Sequence, residues 1–276
     1  MYQATHEATP LAKEKDLLSL NTIVDLQLYP IDQDVFRVHC KHTFEKQGVL
    51  VLPGFLTSEA VSHIAKEGET SCDKAYFTNS SHNIYLKPAD PAFAVDHPRN
   101  FPIASSKGCI TTDQIPVDST LRKLYDNSSF KAFLCEVLDE NALFEYADPL
   151  SSINLHYAAQ GQELGWHFDN SSFAITLLIQ KPEGGGVFEY VKDVRNADLG
   201  EMNYEQAGKI LDGKLSVETL SMDAGALVLF RGRNSLHRVT PTQGDITRML
   251  VVLAYNTEPD IALSESARMT FYGRLG

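Results

Sequence analysis

A series of short apolar runs after about Leu150 limits what this chain can fold into more than any other feature. "SSINLHYAA", "FAITLLIQ", "GGVFEYV", "GALVLFRG" and "RMLVVLAYN" are rich in β-branched or aromatic residues and bounded by Gly, Pro, Asn or Asp. Many short strands joined by Gly-rich turns predict an antiparallel sandwich or barrel. One helix-like insertion, "NYEQAGKILDGK", interrupts them. Ahead of this region the texture is helical. "LTSEAVSHIAKEGE" carries a helix start at Thr57 or Ser58, with acidic residues in its first turn. In "STLRKLYDNSSFKAFLCEVLD", Leu121, Leu124, Tyr125, Phe130, Phe133 and Leu134 recur at helical spacing and predict a second helix. Between the two, the prolines of "LKPADPAFAVDHPRNFP" predict a long surface loop. Residues 1–20 read as a loose or partly helical arm. The expected fold class is mostly β with N-terminal helices (α+β), in one domain over 1–276. A helical and loop layer, 1–150, would pack on a β-core, 151–276.

Composition narrows the function classes. A chain of 276 residues, 43% hydrophobic and 22% charged, can bury one large core. Lys+Arg 24 against Asp+Glu 36 gives a net charge of −12, which argues against nucleic acid as partner, since phosphate binding needs a basic surface. An anionic small molecule held by one or two buried arginines stays compatible with it. Cys40, Cys72, Cys109 and Cys135 form no C-x-x-C pair and read as reduced thiols. The polar N-terminus lacks an apolar signal core, and no run approaches the ~18 apolar residues of a membrane span. The expected location is cytoplasmic, with no membrane partner.

Chemistry concentrates in "GWHFDNSSFAITLLIQ". His167 and Asp169 have the same parity, so on an extended segment both leave one face and could grip one ion. Among nine histidines a single H-x-D is close to chance, and alone it reads better as a polar turn with a surface histidine. Its company changes that. In "DAGALVLFRGRNSLHRVTPTQGDITRMLVVLAYN", His237 precedes a short strand, and eleven residues later Arg248 opens a strongly apolar one. Successive strands of a barrel bring their ends together, so His237 could return to His167 and Asp169. Two histidines and one carboxylate, with three positions open, make the site used by non-haem Fe(II) oxygenases. A guanidinium opening a greasy strand is costly unless paired, and it suits a bidentate carboxylate.

With these four residues in order, the region from Asn154 to Asn256 resembles the Fe(II)/2-oxoglutarate-dependent oxygenases. The resemblance implies a double-stranded β-helix (jelly roll, cupin-like). It implies metal and catalytic roles for His167, Asp169 and His237, and co-substrate binding by Arg248. Fe(II), 2-oxoglutarate and O2 would be the cofactors, and a small molecule the substrate. "YADPLSSINLHY", "GGGVFEYV", "LFRGRNSLHRVTP" and the terminal "FYGR" further resemble the subfamily of free-lysine radical halogenases and their hydroxylase relatives. Halogenating members carry glycine where Asp169 stands, which frees a coordination position for chloride. Asp169 therefore implies hydroxylation of an unactivated C–H bond. Lysine-acting members tend to place a histidine and an acid where Leu164 and Asn170 stand, so another amino acid or amine-bearing metabolite is the expected substrate.

Further candidates are read against simpler explanations. Trp166, Asn170, Ser171 and Ser172 adjoin the ligands and could touch substrate, or could serve packing and a plain turn. Arg99, in the Pro-rich loop, could meet a substrate carboxylate as part of a lid. His156 could face the cavity, or be a satisfied core histidine. His39-Cys40-Lys41-His42 reads as structural, having no fourth partner. Gly184-Gly185-Gly186 is followed by a strand, so a bulge or tight hairpin suits it better than a phosphate loop. Demethylation, desaturation or C–N cleavage by the same oxidant are alternative outcomes. A non-catalytic cupin-like module is the alternative from another class, and homo-oligomerisation stays open.

Overall fold

A computed structural model describes residues 18–276; the N-terminal arm expected over 1–20 lies mostly outside them. Thirteen strands organise the described chain: β1 (Val49–Leu52), β2 (Tyr76–His82), β3 (Ile103–Ile110), β4 (Ile153–Ala158), β5 (Leu164–His167), β6 (Ala174–Gln180), β7 (Gly184–Gly185), β8 (Phe188–Val191), β9 (Glu218–Leu220), β10 (Leu227–Phe230), β11 (Leu236–Val239), β12 (Thr242–Gln243) and β13 (Arg248–Leu253). All but β7 and β12 join one antiparallel sheet in the order β1-β10-β6-β13-β4-β3-β5-β11-β8-β9, with β2 beside β3. Its ends face each other: Val49, Val228 and Phe230 pack against Tyr190, Phe188 and Leu220. The sheet thus curls around an internal cavity, as expected of a double-stranded β-helix.

The two faces of the long central strands separate by parity. Along β13, Met249 and Val251 belong to the main core, while Arg248, Leu250 and Val252 line the cavity. Along β4, Leu155 and Tyr157 face the same core and His156 faces the cavity. Helices cover the outer face: α1 (Asp34–Gln47), α2 (Ser58–Ser71), α3 (Thr120–Asp126) and α4 (Ser128–Leu138). As expected, Thr57 caps α2, its hydroxyl accepting from the Ala60 amide at 3.2 Å. Gly68 lets α2 lie close on the sheet, since a Cβ there would stand 2.9 Å from Leu155 Cδ2. The helix predicted over residues 119–139 is two helices. Asn127 ends α3 and caps α4, its side-chain oxygen accepting from the Phe130 amide at 2.9 Å. The insertion forms α5 (Tyr204–Leu211), and α6 (Glu265–Tyr272) closes the described chain.

The segment before residue 150 is more than a helical and loop layer. β3 pairs with both β4 and β5, and β1 pairs with β10, so both halves of the chain build one sheet. The Pro-rich stretch is irregular, as expected, but it connects β2 to β3. Among the described residues no helix is long and apolar enough to cross a membrane.

Candidate metal centre

His167 ends β5 and His237 lies on β11, and the two are direct cross-strand partners. Their ring centroids are 4.2 Å apart. Asp169 follows β5, where its amide donates to the Gly232 carbonyl at 3.0 Å. That bond turns its carboxylate back to the histidines: Oδ1 lies 3.6 Å from His167 Nε2 and 3.5 Å from His237 Nε2. Each imidazole is set by its own backbone. His167 Nδ1 lies 2.8 Å from the Gly165 carbonyl, and His237 Nδ1 lies 3.0 Å from that of Ser235. A carbonyl can only accept, so each Nδ1 carries the proton and each Nε2 presents a lone pair.

Burial and the neighbouring His237 lower the His167 pKa. Asp169 Oδ2 is buried with no hydrogen-bond partner. Two imidazole Nε2 atoms and one carboxylate, whose Oδ2 is left without a partner, fit a divalent metal of the non-haem iron type. Among the described residues this is the one His/Cys/Asp/Glu group close enough to hold an ion. His39 and His42 are exposed on α1, with Cys40 turned into the core.

A cavity of about 320 Å³ opens beside the three residues. Phe188, Phe230, Ile175, Leu250 and Val239 make much of its wall. Arg248 reaches it while only 6% exposed. No carboxylate pairs with this guanidinium among the described residues, and burial lowers its pKa to about 10. Gly186, at φ 58°, gives its stem room, since a Cβ there would lie 2.9 Å from Arg248 Cδ. The triple glycine therefore serves the arginine: Gly184 and Gly185 form β7, which pairs with β12.

The structure brings His167, Asp169, His237, Arg248, His156 and Ser171 to one cavity. It corrects the expected placing of four substrate candidates. Trp166 has the opposite parity to His167 and packs in a separate cluster with Ile84, Phe168 and Leu236, under the Arg238 guanidinium at 4.8 Å. Asn170 is exposed, and its carbonyl accepts from Arg233 at 3.0 Å. Ser172 is exposed as well and outside the cavity wall. Arg99 donates to the Pro88 carbonyl at 3.0 Å, bracing its own loop away from the cavity.

Other residues had no signal in the sequence patterns. Ser105 Oγ accepts from the Gly165 amide at 2.9 Å and lies 2.8 Å from His82 Nε2. His82 in turn sets its ring edge-on to His167, centroids 6.2 Å apart. This network braces Gly165, whose carbonyl fixes His167. Gly232 is equally hidden: a Cβ there would lie 1.8 Å from Asp169 Oδ2.

Known proteins share this fold. A family model for halogenase D matches residues 32–271. The chain belongs to the halogenase D family. No curated protein matches it. Among solved structures, this family member is similar to a 2OG-Fe(II) oxygenase family oxidoreductase from Burkholderia pseudomallei, at 10% identity and TM-score 0.52, over 82% of this chain and 92% of that one. The epimerase SnoN from nogalamycin biosynthesis aligns at 12% identity and TM-score 0.56, over 81% and 84%. A Pseudomonas putida prolyl-4-hydroxylase aligns at 11% identity and TM-score 0.50, over 78% and 96%. These likenesses establish the jelly-roll fold. This halogenase D member thus shares its fold with 2OG-Fe(II) oxygenases and carries a His–Asp–His cluster that could hold a metal ion.

Proposed function

We propose that this chain is a dioxygenase hydroxylating an unactivated C–H bond of a small amino-acid or amine-bearing metabolite. His167, Asp169 and His237 would hold Fe(II), and Arg248 would pair with the distal carboxylate of 2-oxoglutarate. When bound, these cofactors and O2 supply oxidation of a C–H bond coupled to decarboxylation of 2-oxoglutarate to succinate. The protein's own residues orient and exclude. The Nδ1 bonds fix both rings, Arg248 aligns the co-substrate, and the apolar wall keeps water from the reacting centre.

The observation that carries this reading is the Asp169 carboxylate, 3.5 Å and 3.6 Å from the two Nε2 atoms. On this reading it would fill the position that, by the resemblance, halogenating relatives leave to chloride through glycine. Membership in a family named for halogenation is therefore compatible with oxygen insertion here. All four cysteines are unpaired, which supports a reducing, cytoplasmic location.

Anaerobic titration with Fe(II) and 2-oxoglutarate tests the proposal. A metal-to-ligand charge-transfer band, followed by succinate formation on adding O2, is the expected result. Absence of both would leave a non-catalytic cupin-like module as the reading. Mass detection of +16 against −2 products separates hydroxylation from desaturation, and loss of a carbon or nitrogen fragment marks demethylation or C–N cleavage.

A further inference from the structure

Asp169 lies beyond the end of β5, and one backbone bond, from its amide to the Gly232 carbonyl, ties it to the turn between β10 and β11. A second tie comes from a side chain distant in sequence. Arg195, between β8 and α5, donates from Nη2 to the Asp169 carbonyl at 3.3 Å and from Nε to the Arg233 carbonyl at 2.7 Å. One guanidinium thus bridges the same two segments, using the rigid fork that a lysine lacks. Its Cζ stands 4.2 Å from the centre of the ring of Phe168, the middle residue of the H-x-D. Phe168 in turn stacks on Tyr85, with centroids 5.4 Å apart.

Arg195 is only 8% exposed, and no carboxylate among the described residues pairs with it. A buried guanidinium is costly, and an apolar side chain of similar volume would pack on Phe168 without that penalty. The charge therefore serves the two carbonyls. Both belong to segments that set the metal-binding carboxylate. Asp169 carries it, and Gly232, next to Arg233, lies so close that a Cβ there would stand 1.8 Å from Oδ2. A slip of the 232–233 turn against Asp169 would move Oδ1 from its place 3.6 Å from His167 Nε2 and 3.5 Å from His237 Nε2. Arg195 is outside the cavity wall, so it influences a bound molecule only through Asp169. We propose that Arg195 is a positioning residue for the Asp169 ligand, locking the segment that bears the carboxylate to the turn that confines it. The inference rests on the metal-site reading above and adds to it a residue that belongs to neither the cluster nor the cavity.

The experiment is anaerobic Fe(II) titration of the full chain at saturating 2-oxoglutarate, read from the charge-transfer band. Circular dichroism of each apo variant is the folding control. Arg195→Met keeps the contact on Phe168 and removes both hydrogen bonds. Fe(II) affinity should fall about 10–100-fold, the scale for losing outer support of a metal ligand. In an Asp169→Ala background the same substitution should change affinity by less than about threefold, because no carboxylate is left to position. Arg195→Lys, which can donate to one carbonyl at a time, should lose about threefold or more, again only with Asp169 present. It carries the test if the methionine variant does not fold. A folded variant that binds Fe(II) as tightly as wild type, or equal losses with and without Asp169, would overturn the proposal. A wild-type protein that forms no charge-transfer band, or an Asp169→Ala variant with wild-type Fe(II) affinity, would instead refute the metal-site reading beneath it.

Discussion

Gly232→Ala tests how the Asp169 carboxylate is held, without replacing any proposed ligand. The new Cβ would lie 1.8 Å from Asp169 Oδ2, 2.5 Å from Cγ and 3.0 Å from Cβ. Rotating the carboxylate alone cannot relieve contacts that run the length of the side chain. Restoring a 3.0 Å separation from Oδ2 moves that oxygen by about 1.2 Å. Oδ1 is rigidly joined to it and leaves its place between the two Nε2 atoms. Misplacement by ~1 Å costs on the order of 10²-fold, and loss of outer support for metal ligands about 10–100-fold. Fe(II) affinity should therefore fall about 10–100-fold. Gly232 does not use a positive φ, so alanine suits its backbone and the apo protein should still fold. The assay is anaerobic Fe(II) titration at saturating 2-oxoglutarate, with circular dichroism of the apo variant as the folding control. An affinity within threefold of wild type in a folded variant would refute the reasoning.

Three further outcomes follow from the geometry. Arg248→Ala should weaken 2-oxoglutarate by about 10²-fold, the scale of losing a buried, charge-assisted pair, while Fe(II) affinity measured without co-substrate stays unchanged. His156, with its pKa depressed in the folded state, binds fewer protons there than when unfolded. Apo stability should thus be full above pH ~6.5 and fall below it, by at most about 1.4 kcal/mol per pH unit from this group; His156→Gln should flatten the slope in denaturant melts taken across that range. Asn127→Ala should cost about 1 kcal/mol by uncapping α4, read as a lower urea midpoint with an unchanged m-value.

The candidate centre was legible because its residue types sit at strand parity in a fixed order. His167, Asp169, His237 and Arg248 needed only the premise that strand ends converge. Parity also excludes Trp166, whose even number sends it to the face opposite His167; its closeness in sequence suggested a contact that a pleated strand forbids. β2 and β3 were hidden for a different reason. "YFTNSSH" and "IASSKGCI" are rich in serine and carry no sustained β-branched run, because their cavity-facing side chains are polar. Lys107 lies within that stretch and looks like a surface lysine until pairing with β4 turns it inward. Gly232 and Ser105 owe their roles to close approaches between segments far apart in the chain, which no local pattern records.

The alternation along β4 and β13 has a consequence for how such a protein can diverge. Leu250, Val252 and His156 can be exchanged to reshape the chamber while Met249, Val251, Leu155 and Tyr157 keep the helices attached. Substrate range and folding stability are thus written on interleaved residues of the same strands. A lineage can rewrite one set without disturbing the other, which makes this scaffold evolvable at its pocket and conservative at its back.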